Sequence, residues 1–332
     1  METRVTPTSF PQADGQTRLM TKIARMYHER GIRQAEIAAT LSISQAKVSR
    51  LLKRAEKAGI IRTIVSSAPG VYGELEDELE ARFGLKEAVI VDVDDDADDG
   101  DVLAAIGAGA AGYLEASFSG NDRVGVSSWS QTVLAMVDRM RPLNPRGAVE
   151  VVQLLGGLGA PDAQSHSNRI LGELARMIGA DPVYVSAPGV VADAAIRNSL
   201  LRDVSMQEVA RHWEDLTVAI MGIGSIEPSD VLETSGNAFS SDERRQLIDA
   251  GAVGDICHRI YRADGSAVEG DLDDRTIAIP TEAIMRIPRR VGLAGGPRKI
   301  PAIRGALAGG WITTLITDVR TAEALVGDDV VS

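Results

Sequence analysis

Three short stretches of this chain hold residues that can bind a small anion or a polyol. Gly125-Val126-Ser127-Ser128-Trp129-Ser130-Gln131-Thr132 runs from a β-rich segment into a helical one. Backbone N–H groups at a helix start, with serine and threonine hydroxyls beside them, form a cradle for phosphate. Leu155-Gly156-Gly157-Leu158-Gly159 and Met221-Gly222-Ile223-Gly224-Ser225 are two further glycine-rich ends of strand-like runs. Plain turns also need glycine, but ligands of open α/β sheets gather beyond the carboxyl ends of the strands, so three such ends predict a site. Signs of catalysis are weak. The four histidines, at 28, 166, 212 and 258, make no HxxxH or HExxH pair, GxSxG does not occur, and no dinucleotide fingerprint is expected. Cys257, the single cysteine, stands in DICHRI without a CxxC partner and reads as a core residue. No metal, cofactor or catalytic residue is assigned.

A second chemistry belongs to the stretch Gln34–Arg50, QAEIAATLSISQAKVSR. It has the form of a helix-turn-helix: Ala38 is small where two helices cross, Ile37, Leu41, Ile43 and Val48 are buried, and Ser42-Ile43-Ser44 makes the turn. Ser44 is a fitting N-cap for the second helix. That helix presents Gln45, Ala46, Ser49 and Arg50 to a major groove, where glutamine favours adenine and arginine guanine. Lys47, Lys53 and Arg54 suit phosphates, which position a module without reading sequence. Gln34, which opens the first helix, completes the candidate DNA-facing set.

The elements around these residues follow from pattern and charge. Residues 1–67 carry 12 Lys and Arg against 5 Asp and Glu, a net of +7; the rest carries 23 against 42, a net of −19. Such asymmetry suggests a nucleic-acid-binding end joined to a body with another task. A length of 332 residues suits two domains, and one cysteine excludes an intramolecular disulfide framework. The chain opens on METRVTPTSFPQADGQ, which is polar and holds two prolines, and no apolar run approaches a membrane span; a soluble, cytoplasmic protein is expected. Residues 1–15 read as a disordered leader, 16–66 as the helix-turn-helix domain, 67–73 as a linker and 74–332 as the body. Leu19, Ile23, Met26 and Tyr27 form the stripe of a first helix ending near Gly31, and Ile60–Val65 is a short β-rich run. In the body, Glu74–Phe83 is an amphipathic helix. Strands are predicted at Ala88–Val93, Arg123–Ser127, Val149–Leu155, Val183–Ser186, Val218–Gly222, Thr276–Ile279, Arg290–Ala294 and Thr313–Thr317. Helices are predicted at Val102–Phe118, Val133–Met140, Asn168–Ile178, Met206–Trp213 and Ala302–Leu307. Continuous apolar strands alternating with helices argue a doubly wound, parallel α/β body. The acidic run Asp92–Asp101 lacks the EF-hand order and reads as a solvated loop.

With these residues in view, the chain from Gln16 to about Val326 resembles the SorC-type sugar-responsive bacterial transcriptional regulators. The motifs that carry the resemblance are VGVSSWSQT, VVQLLGG, APG at 187–189, VAIMGIGS, SGNAFS, GAVGDICHRIY, VGLAGGPRKIPAIRGAL and LITD. It implies an effector domain similar to sugar-phosphate isomerases and glucosamine-phosphate deaminases, used for sensing rather than turnover. It also implies a dimer or tetramer on operator DNA that answers to a sugar or phosphorylated sugar. By position, Ser127–Thr132 is similar to the phosphate loop, Asp255 to the acceptor of sugar hydroxyls and Lys299 to the cation that meets the ligand; the chemistry of a carboxylate and an ammonium suits both roles. The chain departs from the family pattern in an extra serine before Trp129 and in Ser130, where many members have glycine. The alternative is a sugar-phosphate enzyme fused to a DNA-binding module, and a further one is a nucleic-acid-binding scaffold without a ligand.

Overall fold

The computed structural model describes residues 15–61, 70–157, 161–227 and 240–327. The predicted leader up to residue 14, most of the β-rich run after Ile61, the linker up to Pro69, Leu158-Gly159 and most of SGNAFS lie outside the described residues. The chain divides into two compact units, residues 1–66 and 67–332.

The first unit is helical. Helix α1 (Gly15–Ala24) runs into a π-helical turn (Arg25–Glu29), and Gly31 ends it at φ +65°. Helices α2 (Gln34–Thr40) and α3 (Gln45–Lys57) follow. Ile23, Ile37, Val48, Leu51, Leu52 and Ala55 form one buried cluster. The buried face of α1 is Met20, Ile23 and Ala24, continued by Met26 in the π-helical turn, and Tyr27 of the predicted stripe is exposed instead. The turn between α2 and α3 closes with the Ile43 N–H donating to the Ala38 carbonyl (3.0 Å). Ser44 caps α3, its side chain accepting from the Lys47 N–H at 3.2 Å.

The second unit contains helix α4 (Gly73–Phe83) and the strands β1 (Glu87–Val91), β2 (Asp122–Val126), β3 (Ala148–Gln153), β4 (Asp181–Val183), β5 (Val218–Gly222), β6 (Gly224–Ser225), β7 (Ala252–Ile256), β8 (Arg259–Arg262), β9 (Arg289–Leu293) and β10 (Thr314–Asp318). Seven of them form a wholly parallel sheet in the order β1-β10-β9-β5-β2-β3-β4. The interleaved helices are α5 (Asp99–Ser117), α6 (Gln131–Val137), α7 (Pro161–Ile178), α8 (Ala194–Leu201), α9 (Val204–Glu214), α10 (Ser241–Asp249), α11 (Asp271–Arg275), α12 (Thr281–Arg286), α13 (Ile300–Ala308) and α14 (Val319–Gly327). Successive residues of β5 enter different apolar clusters: Val218 and Ile220 join α5, α6 and α7, whereas Ala219 and Met221 join α4, α9, α13 and α14. A period of two therefore buries both faces of the sheet, as a doubly wound α/β domain requires. No helix among the described residues is long and apolar enough to cross a membrane.

Several expectations are corrected. Thr276–Ile279 is not a strand; it makes only isolated bridges, Val190 with Thr276 and Leu155 with Ala278, because its neighbours are loops. The antiparallel sheet β6-β7-β8 was not expected. The acidic run is only partly a loop: Asp98 caps α5, accepting from the N–H groups of Gly100 (2.8 Å) and Asp101 (2.9 Å), and Asp99–Asp101 form its first turn. The dinucleotide glycine spacing does occur, at Gly107, Gly109 and Gly112, but inside α5. A helix interior cannot act as a strand-to-helix phosphate loop.

Candidate functional site

The sheet order sets where a crevice must open. From β2 the chain proceeds outward to β3 and β4, and from β5 it proceeds the other way to β9 and β10. Such a reversal is where ligands of doubly wound sheets bind, beyond the carboxyl ends of the strands. A cavity of about 190 Å³ lies there. Segments that follow β2, β5 and β9 line it, together with the first turns of α5 and the β7–β8 hairpin. Of the predicted residues, it gathers Ser127, Trp129, Ser130, Gln131, Thr132, Asp255 and Lys299.

Each is held by local structure. Ser130 caps α6, its hydroxyl accepting from the Val133 N–H at 3.2 Å. Gly222 is required beside it, since a Cβ there would run into the Ser130 hydroxyl. Gly224 likewise leaves room for the Asp255 carboxylate, which a Cβ would strike. Asp255 accepts from the His258 backbone N–H at 3.0 Å. Burial raises its carboxyl to about 6, against the lowering effect of that hydrogen bond and of Lys299. Lys299 stands at the start of α13 and donates from Nζ to the Ile223 carbonyl (2.9 Å). Burial lowers its pKa, and the Asp255 charge opposes that shift. The loop before it is anchored by the Gly296 N–H, which donates to Asp318 Oδ2 (3.0 Å) and Thr321 Oγ1 (2.8 Å). Cys257 reaches the cavity wall, but burial pushes its thiol up to about 12. It is no nucleophile at neutral pH.

Four predicted residues do not line the cavity. Gly125 is a packing glycine of β2, where a Cβ would meet Leu154 at 2.6 Å and Leu216 at 2.9 Å. The Ser128 hydroxyl is buried and accepts from Gln153 Nε2 at 3.2 Å. Gly156 lies against Gly189 and Pro188, where a Cβ would meet backbone at 2.6 Å. Gly157 bridges to Pro188. Conversely, the cavity takes in Asp99, Glu227, His258 and Arg298, none of them foreseen. Asp99 and Arg298 form an exposed ion pair at its lining. A helix start hidden in the acidic run was the available signal for Asp99.

The first unit offers a separate surface. Gln45, Ala46, Lys47, Arg50, Lys53 and Arg54 of α3 are exposed, and Ser49 and Gln34 are half-buried. Among the described residues, none of the four basic side chains forms an ion pair. Their charge is available to phosphate and base edges.

Two family models match the chain. The Sugar-bind family of sugar-binding domains matches residues 71–327, and a winged helix-turn-helix DNA-binding family matches residues 25–62. The sorbitol operon regulator of Klebsiella pneumoniae is 30% identical over 93% of this chain and 98% of its own. The chain belongs to the SorC-type family of sugar-binding transcriptional regulators. The deoxyribonucleoside regulator of Bacillus subtilis is also 30% identical, over 93% of this chain and 97% of its own. The crystal structure of full-length SorC from K. pneumoniae covers 95% of this chain and 100% of that one, with a TM-score of 0.72. The winged helix-turn-helix of this SorC-type chain is therefore its DNA-binding module, and its α/β body is the sugar-binding domain.

The expected roles of Arg50, base readout, and Lys53, phosphate contact, can be told apart by substitution. Replacing Arg50 with Ala should cost about 1–3 kcal/mol on the cognate operator and relax preference at one base position. Lys53→Ala should weaken cognate and random duplexes alike and flatten the salt dependence. Fluorescence anisotropy titrations at several salt concentrations check this; equal losses from Arg50→Ala on both duplexes would remove it from base readout.

Proposed function

We propose that the cavity between the ends of β2 and β5 is the effector site, and that a sugar or sugar phosphate bound there sets the affinity of the N-terminal unit for operator DNA. The observation that carries the reading is the meeting of Asp255, Lys299 and the Ser127–Thr132 loop, far apart in sequence, on one cavity. A carboxylate accepts sugar hydroxyls, and an ammonium beside hydroxyl and N–H donors at a helix start suits a phosphate. The names of the relatives agree in class: sorbitol and a deoxyribonucleoside are both polyhydroxylated. The site residues are Ser127, Trp129, Ser130, Gln131, Thr132, Asp255 and Lys299. Ser128, Gly125, Gly156 and Gly157 support that set from behind. DNA contacts are assigned to Gln34, Ser44, Gln45, Ala46, Lys47, Ser49, Arg50, Lys53 and Arg54.

The experiment is a thermal-shift screen with D-sorbitol, D-sorbitol 6-phosphate, 2-deoxy-D-ribose 5-phosphate and inorganic phosphate, followed by DNA titration with and without each compound that binds. A ligand that binds only the folded state raises its melting temperature. Lys299→Ala should weaken a bound sugar phosphate about ten-fold or more, the worth of a charge-assisted hydrogen bond. DNA affinity without ligand should be unchanged. Turnover of any of these compounds would overturn the assignment to sensing.

The Asp255 carboxyl, raised to about 6, gives a pH signature. Below that value it is protonated and a poorer acceptor of sugar hydroxyls; above it the carboxylate accepts fully. His258, pressed down to about 4, does not change charge in that window. Affinity for uncharged D-sorbitol should therefore rise as pH passes upward through about 6, and Asp255→Asn should abolish the slope. Calorimetry between pH 5 and pH 8, taken as about two units around the transition, reads it. Stability has the opposite sign: a raised carboxyl pKa favours the folded state at low pH, and that contribution is lost as pH rises from about 4 to about 6.

The reading also includes a homo-oligomer, a dimer or tetramer. One recognition helix reads few base pairs, and a two-fold operator needs paired half-sites. Light scattering at micromolar concentration should give a multiple of 35.2 kDa. A monomer with full operator affinity would exclude it.

A further inference from the structure

We propose that His258 is a specificity-determining contact of the cavity, packing against the uncharged carbon skeleton of the bound sugar; this rests on the cavity's being the effector site. Strands β7 and β8 are joined by only two residues, Cys257 and His258, with Ile256 paired to Arg259 across the turn. Both have left-handed backbones, at φ +52° and +61°. A two-residue turn with positive φ at both positions is ordinarily made by Asn-Gly, Asp-Gly or Gly-Gly. Cysteine and histidine are strained there, and such strain persists only where the surroundings over-determine it.

The surroundings do so. Asp255 accepts the His258 N–H at 3.0 Å. On the other side of the turn the buried Arg259 guanidinium donates to the carbonyls of Ile279 (3.0 Å) and Ala278 (2.8 Å) and to Asp273 (2.5 Å). The conformation held in this way puts an imidazole, 3% exposed, on the wall of the cavity. The ring meets Trp129 edge to face, centroids 5.2 Å apart at 71°. Trp129 is itself fixed: Nε1 donates to the Gly156 carbonyl (3.0 Å), and its ring occupies the space a Cβ at Gly189 would need. One wall of the cavity is thus a rigid aromatic pair, beside a carboxylate and an ammonium. Ligand pockets combine apolar and aromatic surface with a few placed polar groups, and a sugar has C–H surface for the first and hydroxyls for the second. Burial and the Arg259 charge press the imidazole pKa down to about 4. The ring is neutral at pH 7 and adds no charge toward a phosphate, which leaves that task to Lys299.

The full-length protein and its His258→Gly and His258→Asn variants test this with D-sorbitol 6-phosphate, 2-deoxy-D-ribose 5-phosphate and inorganic phosphate, read by calorimetry and by intrinsic tryptophan fluorescence. Glycine and asparagine both tolerate the left-handed turn, which offsets the lost packing of the ring, so both variants should stay folded, as their melting curves check. The sugar phosphate that the parent prefers should bind roughly ten-fold or more weakly to His258→Gly, the scale of a lost pocket contact. Its preference over the other sugar phosphate should shrink, with inorganic phosphate unaffected; His258→Asn should fall between. Unchanged sugar-phosphate binding overturns the proposal, and so does equal weakening of all three probes, which would mark a structural role. A parent protein that binds neither sugar phosphate nor D-sorbitol removes the effector-site reading and this proposal together. Sugar-phosphate binding that ignores His258 removes this proposal alone.

Discussion

The reversal of strand order between β2 and β5 is the constraint on which the rest of the body depends. Two adjacent parallel strands whose chains leave in opposite directions cannot both be covered at their carboxyl ends, so a crevice opens between them. Its floor is buried sheet, and everything with chemistry must come from the segments that leave it. Gly222 and Gly224 accordingly lack side chains where β5 ends, because the Ser130 hydroxyl and the Asp255 carboxylate occupy that space. Where β10 ends, the buried Asp318 ties the Gly296 loop, accepting from the N–H groups of Gly296 and Thr321 and from the Thr321 hydroxyl. That loop carries Lys299 to the cavity.

Charge is placed as sparingly as the low dielectric of such a site demands. Asp255 and Lys299 are each costly to hold away from water, and each shifts in the direction that burial dictates while the other restrains it. Arg259, more deeply buried, is matched by two carbonyls and Asp273. Besides the exposed Asp99, Glu227 and Arg298 at its lining, the cavity therefore keeps one carboxylate and one ammonium, Asp255 and Lys299, whose further hydrogen-bonding capacity a hydroxylated ligand can fill. The opposite signs of the two halves of the chain, +7 and −19, fit a basic DNA-binding module on a body that phosphate-rich DNA would otherwise avoid.

Much of this could be read from residues alone. Apolar periodicity located the three helices of the first unit and, within one or two positions, six strands of the parallel sheet; the strand expected at Val183–Ser186 shares only Val183 with β4, which begins at Asp181. The caps Ser44 and Ser130 stand where hydroxyls precede helices. The glycine-rich strand ends pointed to the end of the sheet where the cavity opens, yet they did not separate glycines that line it from those that admit a neighbouring chain: Gly125 makes room for Leu154, and Gly156 for Pro188 and Gly189. The β7–β8 hairpin escaped because its turn is Cys-His, without glycine or asparagine to announce it. His258 escaped with it. Thr276–Ile279 has strand composition but meets only loops, a choice made by tertiary context rather than by propensity.

A regulator needs more than a site, because an effector that binds two conformations equally shifts neither. The cavity lining divides into parts held to different degrees. The hairpin turn is held by the Asp255 and Arg259 hydrogen bonds, Trp129 by its bond to the Gly156 carbonyl and its packing on Gly189, and the Gly296 loop by two buried bonds. By contrast, the Asp99–Arg298 pair is exposed, with side chains 64% and 68% accessible. Exposed pairs contribute little to stability, so this one can break and re-form at small cost. Asp99 sits in the first turn of α5 and Arg298 immediately before Lys299, so Lys299 stands between an exposed ion pair that is cheap to open and the aromatic wall of Trp129 and His258.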